Sequence, residues 1–135
     1  MILGTFGAIL SFAMEMEEQT ASFYQTAEQD HPVEIFSNLA RLASKRLTRL
    51  ERARREGVAE MILESITGLD GDDYSVFLDP KADPVEQAIV LEKAATRFYR
   101  DAANKLPIRE TVRLFERMAS ESEQSCKLLE AEISA

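Results

Sequence analysis

One cysteine, Cys126, and one histidine, His31, occur in 135 residues. A lone thiol excludes a disulfide within the chain, and no CxxC pair exists to build a cysteine-ligated zinc or iron site. Glu123 and Glu130 flank Cys126 in sequence and disfavour the thiolate that a redox sensor needs. Cys126 is therefore expected to be a reduced packing or surface thiol. Positive charge is also scarce, with 16 Lys and Arg against 24 Asp and Glu and a net charge of −8. That balance argues against a nucleic-acid partner, which selects a basic surface. The first fourteen residues are apolar but hold no Lys or Arg, so the charged start of a signal peptide is missing. Acids begin at Glu15, which leaves the run too short to span a bilayer. It reads instead as the start of a core helix in a cytoplasmic protein with no membrane partner.

What is present is an ordinary globular composition, 45% hydrophobic and 30% charged, in a length that suits one domain over residues 1–135. The sequence also matches itself. Ala13, Glu17, Phe23, Tyr24 and Ala27 recur in order as Ala88, Glu92, Phe98, Tyr99 and Ala102. Phe36, Leu39 and Ala40 recur as Phe115, Met118 and Ala119, and Leu50-Glu51 as Leu129-Glu130. The chain thus reads as two copies of one helix–turn–helix unit.

Each segment has helical period. Phe6, Leu10, Ala13, Glu17, Thr20, Tyr24 and Ala27 fall at alternating spacings of four and three, as do Val85, Ala88, Glu92, Ala95, Tyr99, Ala102 and Leu106. Phe36, Leu39, Ala43, Arg46 and Leu50 form a third seam, and Phe115, Met118, Ser122, Ser125 and Leu129 a fourth. Asp83-Pro84-Val85-Glu86 supplies an N-cap, a first-turn proline and an N3 acid. Pro32 and Pro107 are expected to open helices two and four after short turns, and Arg54, Arg55 and Gly57 to close helix two. Four helices near residues 5–29, 32–56, 84–104 and 107–133 follow. Between about 57 and 83 lies a long connection, a short helix over Val58 to Ile66 and then loop through Pro80. The expected fold is all-α, a four-helix bundle of two antiparallel hairpins joined by a long crossover.

Glu17 with Phe23-Tyr24, Glu92 with Phe98-Tyr99 and the two F-x-x-[LM]-A starts resemble the rubrerythrin-like branch of the ferritin-like superfamily over nearly the whole chain. The resemblance implies a di-iron carboxylate centre, with one Glu from each of helices one and three and a Glu-x-x-His pair from each of the others. Glu17 and Glu92 fall on the single-Glu positions as vestigial metal ligands. The Glu-x-x-His pairs fall on Ala43 and Arg46 and on Ser122 and Ser125, so both histidines are missing. His31 stands in the first turn, away from the axis. Glu121 and Glu123 flank Ser122 but point off the axis at about 100° per residue. Tyr24 and Tyr99 are expected to pack in the core with their hydroxyls on neighbouring acids.

Three functions compete. The first is a non-catalytic structural or interaction module with no cofactor. The second is an altered metal-binding oxidoreductase, using iron or manganese for peroxide reduction or ferrous oxidation. The third is small-molecule binding in the vacated centre, lined by Glu17, Glu92, Ser122 and Ser125. A homodimer is expected, because the N-terminal run holds more apolar residues (Ile2, Leu3, Phe6, Ile9) than one seam absorbs. Arg41, Lys45, Arg49 and Arg52 make a basic stripe, solvated or facing an acidic partner surface. Arg46 has two expected positions. It bridges Glu17 and Glu92 with the two serines on leftover oxygens, or it snorkels outward and Leu47 fills the seam.

Overall fold

The computed structural model describes residues 1–31, 33–58 and 65–134. The described residues form four α-helices, α1 (Phe6–Asp30), α2 (Glu34–Val58), α3 (Pro84–Ala103) and α4 (Arg109–Ser134), and no strand occurs among them. The architecture is all-helical and compatible with a four-helix bundle. Pro32, expected to open helix two, and most of the short helix expected over Val58 to Ile66 lie outside the described residues, and α2 begins at Glu34.

Local chemistry explains the starts. The Thr5 hydroxyl accepts the Ala8 N–H at 3.0 Å and caps α1. Asp83 accepts the Val85 N–H at 2.8 Å, with Pro84 in the first turn of α3, as expected from sequence. Pro107 sits two residues ahead of α4 instead of opening it.

Two further expectations are corrected. Residues 1–5 do not begin the core helix; they run alongside the connection between α2 and α3. The Leu3 N–H reaches Leu69 O at 2.9 Å, and the Ile66 N–H reaches Gly4 O at 2.9 Å. That pairing satisfies backbone groups that a helix would otherwise have paired within itself. Within the connection, Gly71–Tyr74 forms a 3-10 turn where loop was expected. Tyr74 fastens it to α3 by donating to Asp101 Oδ2 at 2.6 Å, with Arg97 stacked 5.2 Å from its ring centre.

Gly57 does not end α2, which continues to Val58. A Cβ at Gly57 would meet the Phe6 ring at 2.4 Å, so the glycine is required by a close approach.

α1 packs most extensively along α2 and α3 along α4, with lighter contact between α1 and α3 and between α2 and α4. The core has two apolar parts. One contains Leu3, Phe6, Leu10, Phe98, Tyr99, Phe115 and Met118; the other contains Tyr24, Phe36, Leu39, Ala88 and Leu129. Leu3, Phe6 and Ile9 are buried by the chain itself, so of the N-terminal run expected to face a partner only Met1 and Ile2 stay strongly exposed. No helix among the described residues is long and apolar enough to cross a membrane.

Alanine has the better helix propensity by about 1 kcal/mol, yet Gly57→Ala must push the buried Phe6 ring aside. We expect a net loss of about 1–3 kcal/mol, read as a lower urea midpoint with an unchanged slope. A midpoint at or above wild type would show that the ring moves at no cost.

Candidate functional site

The two apolar parts of the core are separated by a polar layer. Glu17 on α1, Arg46 on α2, Glu92 on α3 and Ser122 on α4 are each at most 1% exposed, and Ser125 is 2% exposed. Each of the four helices contributes a polar side chain to it. The seams explain this placement, because each residue occupies an inward position otherwise taken by Ala, Leu or Phe.

Arg46 points inward, and Leu47 does not replace it in the seam. Its Nε donates to Glu17 Oε1 at 3.0 Å, and its Nη2 lies 3.7 Å from Glu92 Oε1. The second distance is an ion pair rather than a hydrogen bond. The two tyrosines complete the network by crossing between matched sequence positions. Tyr24 donates to Glu92 Oε1 at 2.8 Å, and Tyr99 donates to Glu17 Oε1 at 2.6 Å. Each tyrosine thus serves the glutamate of the other half of the chain.

Both serines lie in the layer, as expected. Ser122 lies close enough to the Glu92 carboxyl to favour its charged form slightly, although its Oγ has no partner at full hydrogen-bonding geometry. Glu17 Oε2, Glu92 Oε2 and Arg46 Nη1 are likewise buried and unpartnered. Sequence placed Glu121 off the axis, and it is in fact 28% exposed and held by Arg49 through two bonds of 3.0 and 2.7 Å. It still approaches the layer, with Oε1 3.9 Å from Arg46 Nη1. Sequence reasoning missed that pair, although Arg49 stands one turn beyond Arg46 and Glu121 directly precedes Ser122. Glu123 lies farther out and pairs with Arg100. His31 is exposed at the end of α1.

One cation faces two buried acids, and this imbalance sets the electrostatics. Burial raises the pKa of Glu17, opposed by Arg46 and by the Tyr99 hydrogen bond. Burial pushes Glu92 up to about 7, against the smaller opposing pulls of Arg46 and Tyr24. Burial alone disfavours the Arg46 charge, but Glu17 and Glu92 outweigh it and hold the guanidinium protonated. Tyr24 and Tyr99 are raised by burial and by the adjacent carboxylates, so both phenols remain donors. Cys126 is pushed up to about 11 by burial and Glu130, whose Oε1 lies 3.6 Å from Sγ. It is no thiolate at neutral pH.

The fit to a metal can be judged from these donors. No three His, Cys, Asp or Glu side chains come together as a metal-holding group among the described residues. The Arg46 guanidinium already lies between the two acids, bonded to Glu17 Oε1 and paired with Glu92 Oε1. This donor set does not fit a di-iron centre. Comparison with known proteins adds no second line of argument: no family model matches the chain, and no curated protein or solved structure matches it.

The layer makes a pH prediction. Glu92 binds a proton more tightly folded than unfolded, so its contribution to stability falls as pH rises from its ordinary 4.5 to about 7 and is constant above. That interval amounts to about 3 kcal/mol at about 1.4 kcal/mol per pH unit. Glu92→Gln should remove this dependence, so that the variant gains on wild type across the interval in urea unfolding. A difference that stays constant with pH would mean that Glu92 is ionised throughout.

Proposed function

We propose that this chain is a rubrerythrin-type, ferritin-like bundle whose di-metal centre has been replaced by an internal arginine–carboxylate network, and that it serves as a non-catalytic structural or interaction module. The observation that carries the reading is the guanidinium of Arg46, 1% exposed, lying between Glu17 and Glu92. In the resembling family, that position on helix two holds a metal-ligating histidine. A fixed organic cation there balances carboxylates that iron would otherwise balance.

Two antiparallel hairpins are part of the same reading. Its support is the order of contacts along the first pair: Phe6 meets Gly57, Glu17 meets Arg46, and the Tyr24 ring lies 6.1 Å from that of Phe36. Residue numbers rise on α1 as they fall on α2.

The chemistry supports no redox step. Arg46 is not a redox group, the tyrosines hold their protons, and Ala43 offers no donor.

Two measurements test the reading. Purified protein should carry far less than one equivalent of iron or manganese, and near-stoichiometric metal would overturn the proposal. Arg46→Ala should destabilise by about 3–5 kcal/mol, because it strands two buried acids; a surface arginine would cost under about 1 kcal/mol. An unchanged denaturant midpoint would disprove the network's structural role. Arg46→His combined with Ala43→Glu restores the Glu-x-x-His pair on α2 and should restore part of the metal site, read as tighter manganese binding than that of wild type.

A further inference from the structure

We propose that the depression between α1 and α3, roofed at one end by the 3-10 turn, binds a small organic cation: an aromatic body carrying a primary ammonium group. This goes beyond the reading of the central layer and rests on a different observation, an unpartnered buried hydroxyl and a lone carboxylate on the lining of one cavity.

The depression measures about 280 Å³, a size for ligands smaller than most drug-sized molecules. It exists because α1 and α3 touch only lightly, so side chains of the bundle do not fill the groove between them. The turn Gly71–Tyr74 closes one end. A Cβ at Gly71 would meet the Phe12 ring at 2.6 Å, and that ring also packs 4.9 Å, centre to centre, from Phe98. The end wall is thus fixed before any ligand arrives, which lowers the ordering cost of binding.

α1 presents two rows to this cavity. Phe12, Met16 and Thr20 follow one another at spacings of four and form the more buried row; Glu15 and Gln19 form the exposed one. Leu91 and Ala94 line it from α3. The inner surface is therefore apolar, and it includes a ring and a thioether, both of which attract an aromatic body beyond the area they bury.

The polar groups select a cation. Among the described residues, Glu15 is the one charged member of the lining, and it makes no ion pair. Thr20 is only 5% exposed, on a seam where its counterpart in the second half of the chain is Ala95. The hydroxyls of Thr48 and Thr96 donate to the carbonyl one turn back, whereas that of Thr20 has no partner among the described residues. A hydroxyl so placed costs free energy until something bonds it. An ammonium group has three N–H donors and no acceptor. The Glu15 carboxylate, the Gln19 amide oxygen and the Thr20 hydroxyl are three acceptors on neighbouring turns of α1. An anion would meet Glu15 and no balancing Lys or Arg. Arg97 stands outside the lining, stacked on Tyr74 and bonded to Asp73 O. The net charge of −8 draws cations from farther off.

The test is a titration with phenethylamine followed by amide NMR. Wild type should bind it with a dissociation constant of about 1 mM or tighter, and the shifted amides should lie on the turn and on the adjoining parts of α1 and α3. Phenethyl alcohol and phenylpropionate, similar in shape but neutral and anionic, should each bind at least about fivefold more weakly. Glu15→Gln should weaken the amine to the level of the alcohol. Thr20→Val, which removes the hydroxyl and keeps the shape, should weaken it at least about threefold. Ala94→Phe fills the groove and should abolish binding. A constant weaker than about 1 mM overturns the proposal. So does an alcohol or acid that binds as well as the amine, or a variant that binds it as wild type does. Glu15 is exposed, so Glu15→Gln leaves the fold intact. If Thr20→Val or Ala94→Phe loses its helical circular dichroism, Glu15→Gln and the two analogues decide alone. None of these outcomes depends on Arg46 or on metal content, so this proposal and the central reading fail separately.

Discussion

The constraint on which the rest of this molecule depends is a full positive charge held where water is absent. Moving a guanidinium into a low-dielectric interior costs several kcal/mol, which is recovered only when acids surround it with good geometry. Arg46 has a 3.0 Å bond to Glu17 and a longer 3.7 Å approach to Glu92. The acids in turn need donors, and these are the phenols of Tyr24 and Tyr99. Because these five groups come from α1, α2 and α3, no helix of the three can slide by a turn without leaving a buried charge unpaired. Apolar contacts are tolerant of such slips, since one leucine packs nearly as well as the next; a charge network is not.

The position of the layer follows from the same argument. It divides the apolar core into two parts, so hydrophobic burial on either side excludes water from the ions between them. Exclusion strengthens each ion pair and also raises the cost of every unpartnered atom. Glu17 Oε2, Glu92 Oε2, Arg46 Nη1 and Ser122 Oγ all remain unpartnered, so the network is only partly satisfied. One cation cannot balance two ionised acids; burial pushes Glu92 up to about 7, and the Glu17 charge adds a smaller push in the same direction.

Much of this was legible in the sequence because seams are written in spacing. Glu17, Arg46, Glu92 and Ser122 each sit where period 3.6 demands an inward residue, and all four are buried. The choice for Arg46 between the axis and the surface was not legible, since a long side chain starting on a seam reaches either. Close approaches were also hidden. Gly57 reads as a helix stop, and only three dimensions reveal the Phe6 ring against it. The pairing of residues 1–5 with the connection lacked any signal, because Leu3 is apolar in a strand-like segment and in a helix alike. Arg49 with Glu121 joins residues 72 apart in sequence, and neither stripe names its partner.

The matched positions leave one asymmetry that explains how the layer fits. Glu17 corresponds to Glu92 and Tyr24 to Tyr99, but Arg46 corresponds to Ser125 and Ala43 to Ser122. A second arginine at 125 would set two guanidinium groups against each other in a dry layer, where like charges repel strongly. It would also overfill the space. Arg46 is the largest side chain buried to this degree, and a core at crystal-like density must yield that volume elsewhere. Ala43, Ser122 and Ser125 are the small residues that yield it. The symmetric pair of acids and the symmetric pair of tyrosines thus require an asymmetric occupant, a single cation reached from one helix, with small side chains at the three positions that would otherwise compete for its place.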